Sequence, residues 1–227
     1  ALLVYGAQGI SAGYATNIPP HNLGEIIEAT IHRIDYPNCE LETLMKYVKG
    51  PDFPTGGIVE GIDGIKEAYQ TGRGRIIVKS RYTVEEVKGV PQIVITEIPF
   101  EVNKALMVKK MDDIRIDKKI EGIQEVRDES AADVRVVIEL KKNANVDLII
   151  NYLLKNTDMQ ISYNFNVVSI VNRRPKLLGL KEALDAFIAH QKEVVKRRTE
   201  FDLAHAKARY HIVEGLIKCI SILDEVI

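Results

Sequence analysis

Apolar residues recur at helical spacing after Asn22, where Ile26, Ile27, Thr30, Ile31 and Ile34 follow a residue suited to capping. Glu25 stands at the capping-box position, and Pro37 ends the segment. A second short helix is expected over about 40 to 48, ahead of the breaker string Gly50-Pro51-Asp52-Phe53-Pro54. A third is expected over about 63 to 69. The twenty residues before Asn22 mix small with β-branched side chains and end in Pro19-Pro20, so extended backbone is expected there. From Gly74 the period changes to two. Segments 75–82 and 92–98 flank a turn containing Gly89 and read as a hairpin. A helix over about 102 to 116, strands over 123–126 and 134–140, a helix over about 146 to 154 and a strand within 165–171 follow. This order predicts an α+β fold, an antiparallel sheet with helices packed on one face.

Beyond Pro175 the chain has no further proline, and one long helix from about 180 to 227 is the simplest reading. Alternating steps of four and three from Leu180 pass through Leu184, Phe187, Gln191, Val194, Arg198, Phe201, His205, Ala208 and Ile212. That is a heptad-like seam with polar interruptions, which fits a coiled coil or a packed bundle helix. Three segments result: 1–71 with short helices, 72–178 as the α+β sheet domain, and 179–227 as the start of an arm.

Composition narrows the classes. The chain has 227 residues, 46% apolar and 28% charged, enough to bury a sizeable core. Its 31 Lys plus Arg against 32 Asp plus Glu leave a net charge of -1, so a polyanion-binding surface has to come from local segregation of charge. Cys39 and Cys219 form no paired framework, which fits a reducing cytoplasm. No apolar run reaches the roughly 20 residues that span a bilayer. The chain starts without Met and stops within an apolar helical pattern, and is expected to be a piece of something longer. No GxxxxGK[ST] occurs, and His21, His32, His190, His205 and His211 make no HExxH or Cys/His cluster, so neither nucleotide nor metal is expected on this chain.

Several strings carry a resemblance. LLVYGAQGI from Leu2, GYATNIPPHN from Gly13, GPDFPTGG from Gly50, TGRG from Thr71, EIPFEVNK from Glu97 and VRDES from Val126 resemble, in order, the breakage-reunion A subunit of bacterial type IIA DNA topoisomerases. The string NTDMQISYNFN from Asn156 is more similar to topoisomerase IV A subunits than to those of DNA gyrase. The resemblance covers the whole chain. It implies an isomerase in which an A-subunit homodimer and the topoisomerase IV B subunit cut one duplex, pass another through and reseal it during chromosome segregation, in the cytoplasm and on the chromosome. ATP and magnesium are implied on the B subunit, double-stranded DNA as substrate, and no membrane.

The family's nucleophilic tyrosine precedes the string that begins at Leu2, so the resemblance places no catalytic residue here and implies no cleavage by this piece alone. Arg81-Tyr82-Thr83 imitates the tripeptide around that nucleophile but comes after the string, and a strand tyrosine is ordinarily a packing residue. Arg209-Tyr210 is a second decoy.

For DNA contact the resemblance points to Ile18, ahead of the rigid Pro19-Pro20, as an apolar wedge between base pairs. Ile is equally a common core residue. The resemblance also places the tower domain beside DNA, which makes Arg73, Arg75, Lys79, Arg81 and Lys104 candidate phosphate contacts. Alternation sets Arg75, Lys79 and Arg81 on one strand face opposite Ile76 and Val78. A solvated sheet face is the other reading. Two further functions stay open: that of a DNA gyrase A subunit, and that of a coiled-coil interaction protein without enzymatic chemistry.

Overall fold

A computed structural model describes residues 2–222, and the chain divides between Glu182 and Ala183 into two compact units. The first begins with a single helical turn, α1 (Leu2–Tyr5), where extended backbone was expected. Gly6, at φ 70°, redirects the chain into β1 (Ala7–Ser11), and the Ala12-Gly13 turn returns it as β2 (Tyr14–Ile18). A Cβ on Gly6 would stand 2.6 Å from the Ile18 carbonyl oxygen, so the base of this hairpin closes only around glycine.

Helix α2 (Leu23–Asp35) starts as expected, with Asn22 Oδ1 accepting from the Gly24 amide at 2.9 Å and the Glu25 amide at 3.4 Å. Glu25 instead accepts from the Lys49 amide at 3.4 Å. The helix buries Ile26, Ala29 and Arg33 and leaves Ile27, Ile31 and Ile34 exposed, which corrects the face read from spacing. Its isoleucines lie on more than one side of the helix, and the stripe that packs is the one holding Ala29. Helix α3 (Leu41–Leu44) is one turn, shorter than expected, yet Leu44 and the following Val48 are both buried.

Strand β3 (Ile58–Glu60) leads through α4 (Ile62–Thr71) to β4 (Arg73–Lys79). Helix and strand lie unusually close. A Cβ on Gly64 would be 1.9 Å from the Arg75 carbonyl oxygen, and one on Gly74 2.2 Å from that of Gly64. Next come β5 (Arg81–Val87) and β6 (Val90–Glu97), a hairpin closed by Lys88-Gly89. The hairpin read from sequence joined 75–82 to 92–98, and the structure corrects it. The strand breaks at Ser80, fully buried, whose amide donates to the Met159 carbonyl at 2.7 Å, so residues on either side enter different sheets.

Helix α5 (Lys104–Ile116), strands β7 (Ile123–Asp128) and β8 (Val136–Leu140), and helix α6 (Val146–Asn156) follow close to expectation. Asn103 and Asn145 cap the two helices by accepting from Leu106 and Leu148, each at 3.1 Å. The region after α6 holds three strands rather than one: β9 (Gln160–Asn166), β10 (Val168–Val171) and β11 (Arg174–Leu177).

All strand pairs among the described residues are antiparallel, and the fold class is α+β as expected, with the strands shared among three sheets. A five-stranded sheet runs β1-β2-β9-β4-β3, a four-stranded sheet β5-β6-β8-β7, and β10-β11 stands as a two-stranded ribbon. The five-stranded sheet takes strands from both sides of residue 72, where the sequence reading set a boundary. Helices α5 and α6 cover one face of the four-stranded sheet, packing Met107, Met111, Ile149 and Leu153 against Ile93, Ile95, Ile138 and Leu140. Truncating one of these buried chains to Ala costs about 2–5 kcal/mol.

Helix α7 (Leu180–Ser221) begins three residues before the division and from Ala183 makes up the described part of the second unit through Ser221. Phe187, Val194, Phe201 and Ile212 of the seam are exposed along it, and pairs four residues apart, such as Lys218 with Glu214 at 3.2 Å, lie on its surface. The expected helix to residue 227 is met through Ser221, and residues 223–227 lie outside the described residues.

Candidate nucleic-acid interface

A row of aromatic rings lies along the five-stranded sheet. His21, Tyr69, Phe165, Tyr163, Phe53 and Phe100 follow one another with ring centroids 5.3–6.5 Å apart. Ile18 ends β2 within this region at 1% exposure. The wedge expected at Ile18 is therefore corrected. Pro19 and Pro20 run on into buried backbone, and they hold Ile18 in the core rather than at a tip.

On this hairpin the isoleucine that does project is Ile10, 92% exposed and one residue from the end of β1, opposite Ala15. Sequence reasoning passed over it. Its signal was an apolar residue between Gly9 and the Ala12-Gly13 turn, a place where hydrophobic side chains have little packing to gain.

Strand β4 meets the alternation expected of it. Ile76 and Val78 are buried, while Arg73 and Arg75 are exposed on the other face, next to Asn166 and Asn164 of β9. Arg75 donates from Nε to Ser162 Oγ at 2.5 Å, which orients the guanidinium without neutralising it. The Arg73 side chain has no hydrogen-bond or ion-pair partner among the described residues.

The other three cations are matched by acids. Lys79 Nζ lies 2.7 Å from Glu60 Oε2 of β3. Arg81 belongs to β5 in the four-stranded sheet and does not share a strand face with Arg75, because the chain changes sheet at Ser80. Its Nε is 3.0 Å from Glu97 Oε2, which also accepts from the Gly57 amide at 2.5 Å. These bonds, the Gly57 one foremost, hold the Glu97 carboxyl below the usual carboxylate range. Lys104 Nζ reaches Asp128 Oδ2 at 2.8 Å. Asp128 also accepts from the Ser130 hydroxyl at 2.6 Å and the Ser130 amide at 3.1 Å, and its acidity rises accordingly. Two of the recognisable strings, EIPFEVNK and VRDES, thus meet in an ion pair that fixes α5 to the end of β7.

Tyr82 of β5 is partly buried against the core of the four-stranded sheet, opposite Ile95, and carries no adjacent base. Tyr210 is exposed on α7. Among the described residues no three His, Cys, Asp or Glu stand together as a metal site, and no helix is long and apolar enough to cross a membrane. His21 is buried, with Nδ1 2.9 Å from the Leu3 carbonyl oxygen, and burial lowers its pKa.

A family model for the A subunits of DNA gyrase and topoisomerase IV matches residues 1–227. The chain is 62% identical to the DNA topoisomerase 4 A subunit of Bacillus subtilis, 58% to that of Staphylococcus epidermidis and 56% to that of Streptococcus pyogenes. Each alignment covers 100% of this chain and 28% of the relative, so the chain spans little more than a quarter of the length of these relatives.

Proposed function

The chain belongs to the family of DNA gyrase and topoisomerase IV A subunits, and from that premise we propose that it is the DNA-bending portion of a topoisomerase IV A subunit. The complete protein, dimeric and joined by a B subunit that supplies ATP and magnesium chemistry, passes one duplex through a double-strand break in another. This stretch grips and bends the cut duplex and begins the arm of the dimer gate. The topoisomerase IV assignment over gyrase rests on the names of the relatives. The family resemblance assigns the nucleophilic tyrosine to a part of the protein outside these 227 residues, and neither decoy takes its place: Tyr82 packs in a sheet and Tyr210 lies on the arm helix.

The observation that carries the reading is the exposed Ile10 on a narrow two-stranded hairpin. A fully exposed Ile forgoes about 1.5–3 kcal/mol of burial. Insertion between base pairs recovers that apolar contact and offsets an unstacking cost of a few kcal/mol, and such wedges kink DNA by roughly 20–90°. Arg73 and Arg75, on the open face of the same sheet, are placed to hold phosphates. Lys79, Arg81 and Lys104 act first as ion-pair partners within the fold. The exposed seam of α7 calls for a helical partner, which we assign to the returning half of the arm.

Decatenation of interlinked circles is the test. The full-length protein with its B subunit, ATP and magnesium should decatenate, and the 227-residue chain in its place should neither cleave nor decatenate. Cleavage by the short chain would overturn the placement of the nucleophile, and a full-length pair that supercoils DNA would transfer the reading to gyrase.

A further inference from the structure

The ribbon β10–β11 is built unlike the other hairpins of the chain. Val171 pairs with Arg174, leaving Asn172 and Arg173 as a two-residue turn with φ of 52° and 62°. Both central residues at positive φ is the type I′ arrangement, which favours Gly at the second position. The β5–β6 hairpin follows that preference, with Lys88 at 54° and Gly89 at 77°. Here an arginine takes the place of the glycine. A residue with a Cβ held in the left-handed region is strained, and a strained residue at an exposed tip points to a use for its side chain.

Packing gives the ribbon no reason to be there. All four residues of β11 are exposed, and Ile170 on β10 is 77% exposed. An isolated two-stranded ribbon is marginal in water. This one is fastened at its base: the Thr16 hydroxyl donates to the Val168 carbonyl at 2.9 Å, the Val167 amide to Gly72 at 2.9 Å and the Leu178 amide to Val167 at 3.0 Å. Those bonds tie it to β2, the strand that returns from the Ile10 tip, and to Gly72, the residue before Arg73.

Charge supplies the occupant. From residue 160 to residue 181 the chain has no Asp or Glu, while Arg173, Arg174, Lys176 and Lys181 fall within it. In a chain of net charge -1 this is a local segregation. The side chains of Arg173, Arg174 and Lys176 have no hydrogen-bond or ion-pair partner among the described residues, unlike Lys79, Arg81 and Lys104. Unpaired cations, one of them a guanidinium held out on a turn, match a repeating polyanion.

We propose that the β10–β11 ribbon is a second DNA-gripping element, whose Arg173, Arg174 and Lys176 hold the phosphate backbone beside the Ile10 hairpin. The proposal rests on the reading of the chain as DNA-bending and adds to it a specific point of attachment. Duplex phosphates, rather than an acidic peptide, are its partner, because the ribbon is tied at its base to both the wedge hairpin and the Arg73 strand.

The test is duplex binding by the full-length protein over a range of salt. In R173Q/R174Q/K176Q the slope of log affinity against log salt should become shallower by about 0.9 for each phosphate no longer neutralised, approaching roughly 2.7 in all. The charge-matched control K141Q/K142Q/K155Q, at and after the turn between β8 and α6, should keep the wild-type slope. R173G relieves the turn, so it should unfold at the same or a higher temperature while binding DNA several-fold more weakly. An unchanged slope in the triple variant, an equal reduction in the control, or wild-type affinity in R173G would overturn the proposal. A wild-type protein that binds no duplex would overturn the DNA-bending reading as well, a result distinct from the other three.

Discussion

Ile10 and Ile18 occupy the two strands of one hairpin, and the first is 92% exposed while the second is 1% exposed. Their truncations should therefore separate. In the full-length protein Ile10→Ala should reduce the bend angle measured by fluorescence transfer and leave thermal stability unchanged, because the side chain packs on nothing. Ile18→Ala should cost about 2–5 kcal/mol in denaturant unfolding. Normal bending by Ile10→Ala would end the wedge assignment.

The same substitution at two glycines should act with opposite sign. Gly74→Ala places a Cβ 2.2 Å from the Gly64 carbonyl oxygen and 2.8 Å from Ala68, and relieving that overlap requires α4 and β4 to separate. Overpacking of this kind costs about 1–3 kcal/mol. Gly215→Ala on α7 meets nothing within 4 Å and should stabilise the helix by about 0.5–1 kcal/mol. Calorimetry of both variants checks the pair, and a neutral Gly74→Ala would show that helix and strand are loosely joined.

What the sequence made legible was local. The cap Asn22 was legible because a side chain bonds amides two or three residues away, and the long helix because nothing interrupts it; Asn103 and Asn145 cap their helices by the same rule but were not read from the sequence. The partition into sheets was hidden. β4 finds its partners in β9, where Arg75 faces Asn164, and no Gly or Pro marks the break at Ser80. At the candidate interface, alternation placed Arg75 on the exposed face of β4, and Arg73 was named through the resemblance. It could not show that Lys79, Arg81 and Lys104 meet Glu60, Glu97 and Asp128, because those acids arrive from other strands. Ile18 was misjudged for a related reason: rigidity at Pro19-Pro20 is visible in sequence, but whether the rigid segment faces core or solvent is a property of the assembled sheet.

Glu97 joins the loop at Gly57 to Arg81 of β5 through a single carboxylate oxygen. Glu97→Ala should cost about 1–3 kcal/mol, the range for losing hydrogen bonds to a charged group. With the folded-state pKa depressed, this stabilisation is complete above the unfolded value of about 4.5 and is lost as pH falls through the folded one. Urea titrations at pH 7 and pH 3.5 check it: the gap between wild type and variant should shrink at the lower pH, and a constant gap would assign the loss to packing alone.

His21 should give a second and separate pH window. Its Nδ1 faces the Leu3 carbonyl oxygen, an acceptor only, so the proton sits there, and Nε2 is buried without a partner. Burial lowers the pKa in the folded state, and the unfolded chain binds the proton more readily below about 6.5. The sign follows: stability is full above about pH 6.5 and declines as pH falls, by at most about 1.4 kcal/mol per pH unit for one proton. Glu97, Asp128 and Glu129, all depressed, begin to lose their contribution only below about pH 4.5, so above that pH the decline belongs to His21 and not to these carboxylates. His21→Gln keeps a donor for Leu3 but cannot titrate. Melting temperatures between pH 7.5 and 5.5 should fall for the wild-type chain and stay nearly level for the variant. Parallel declines would mean that the proton is taken up elsewhere and that His21 stays neutral throughout this range.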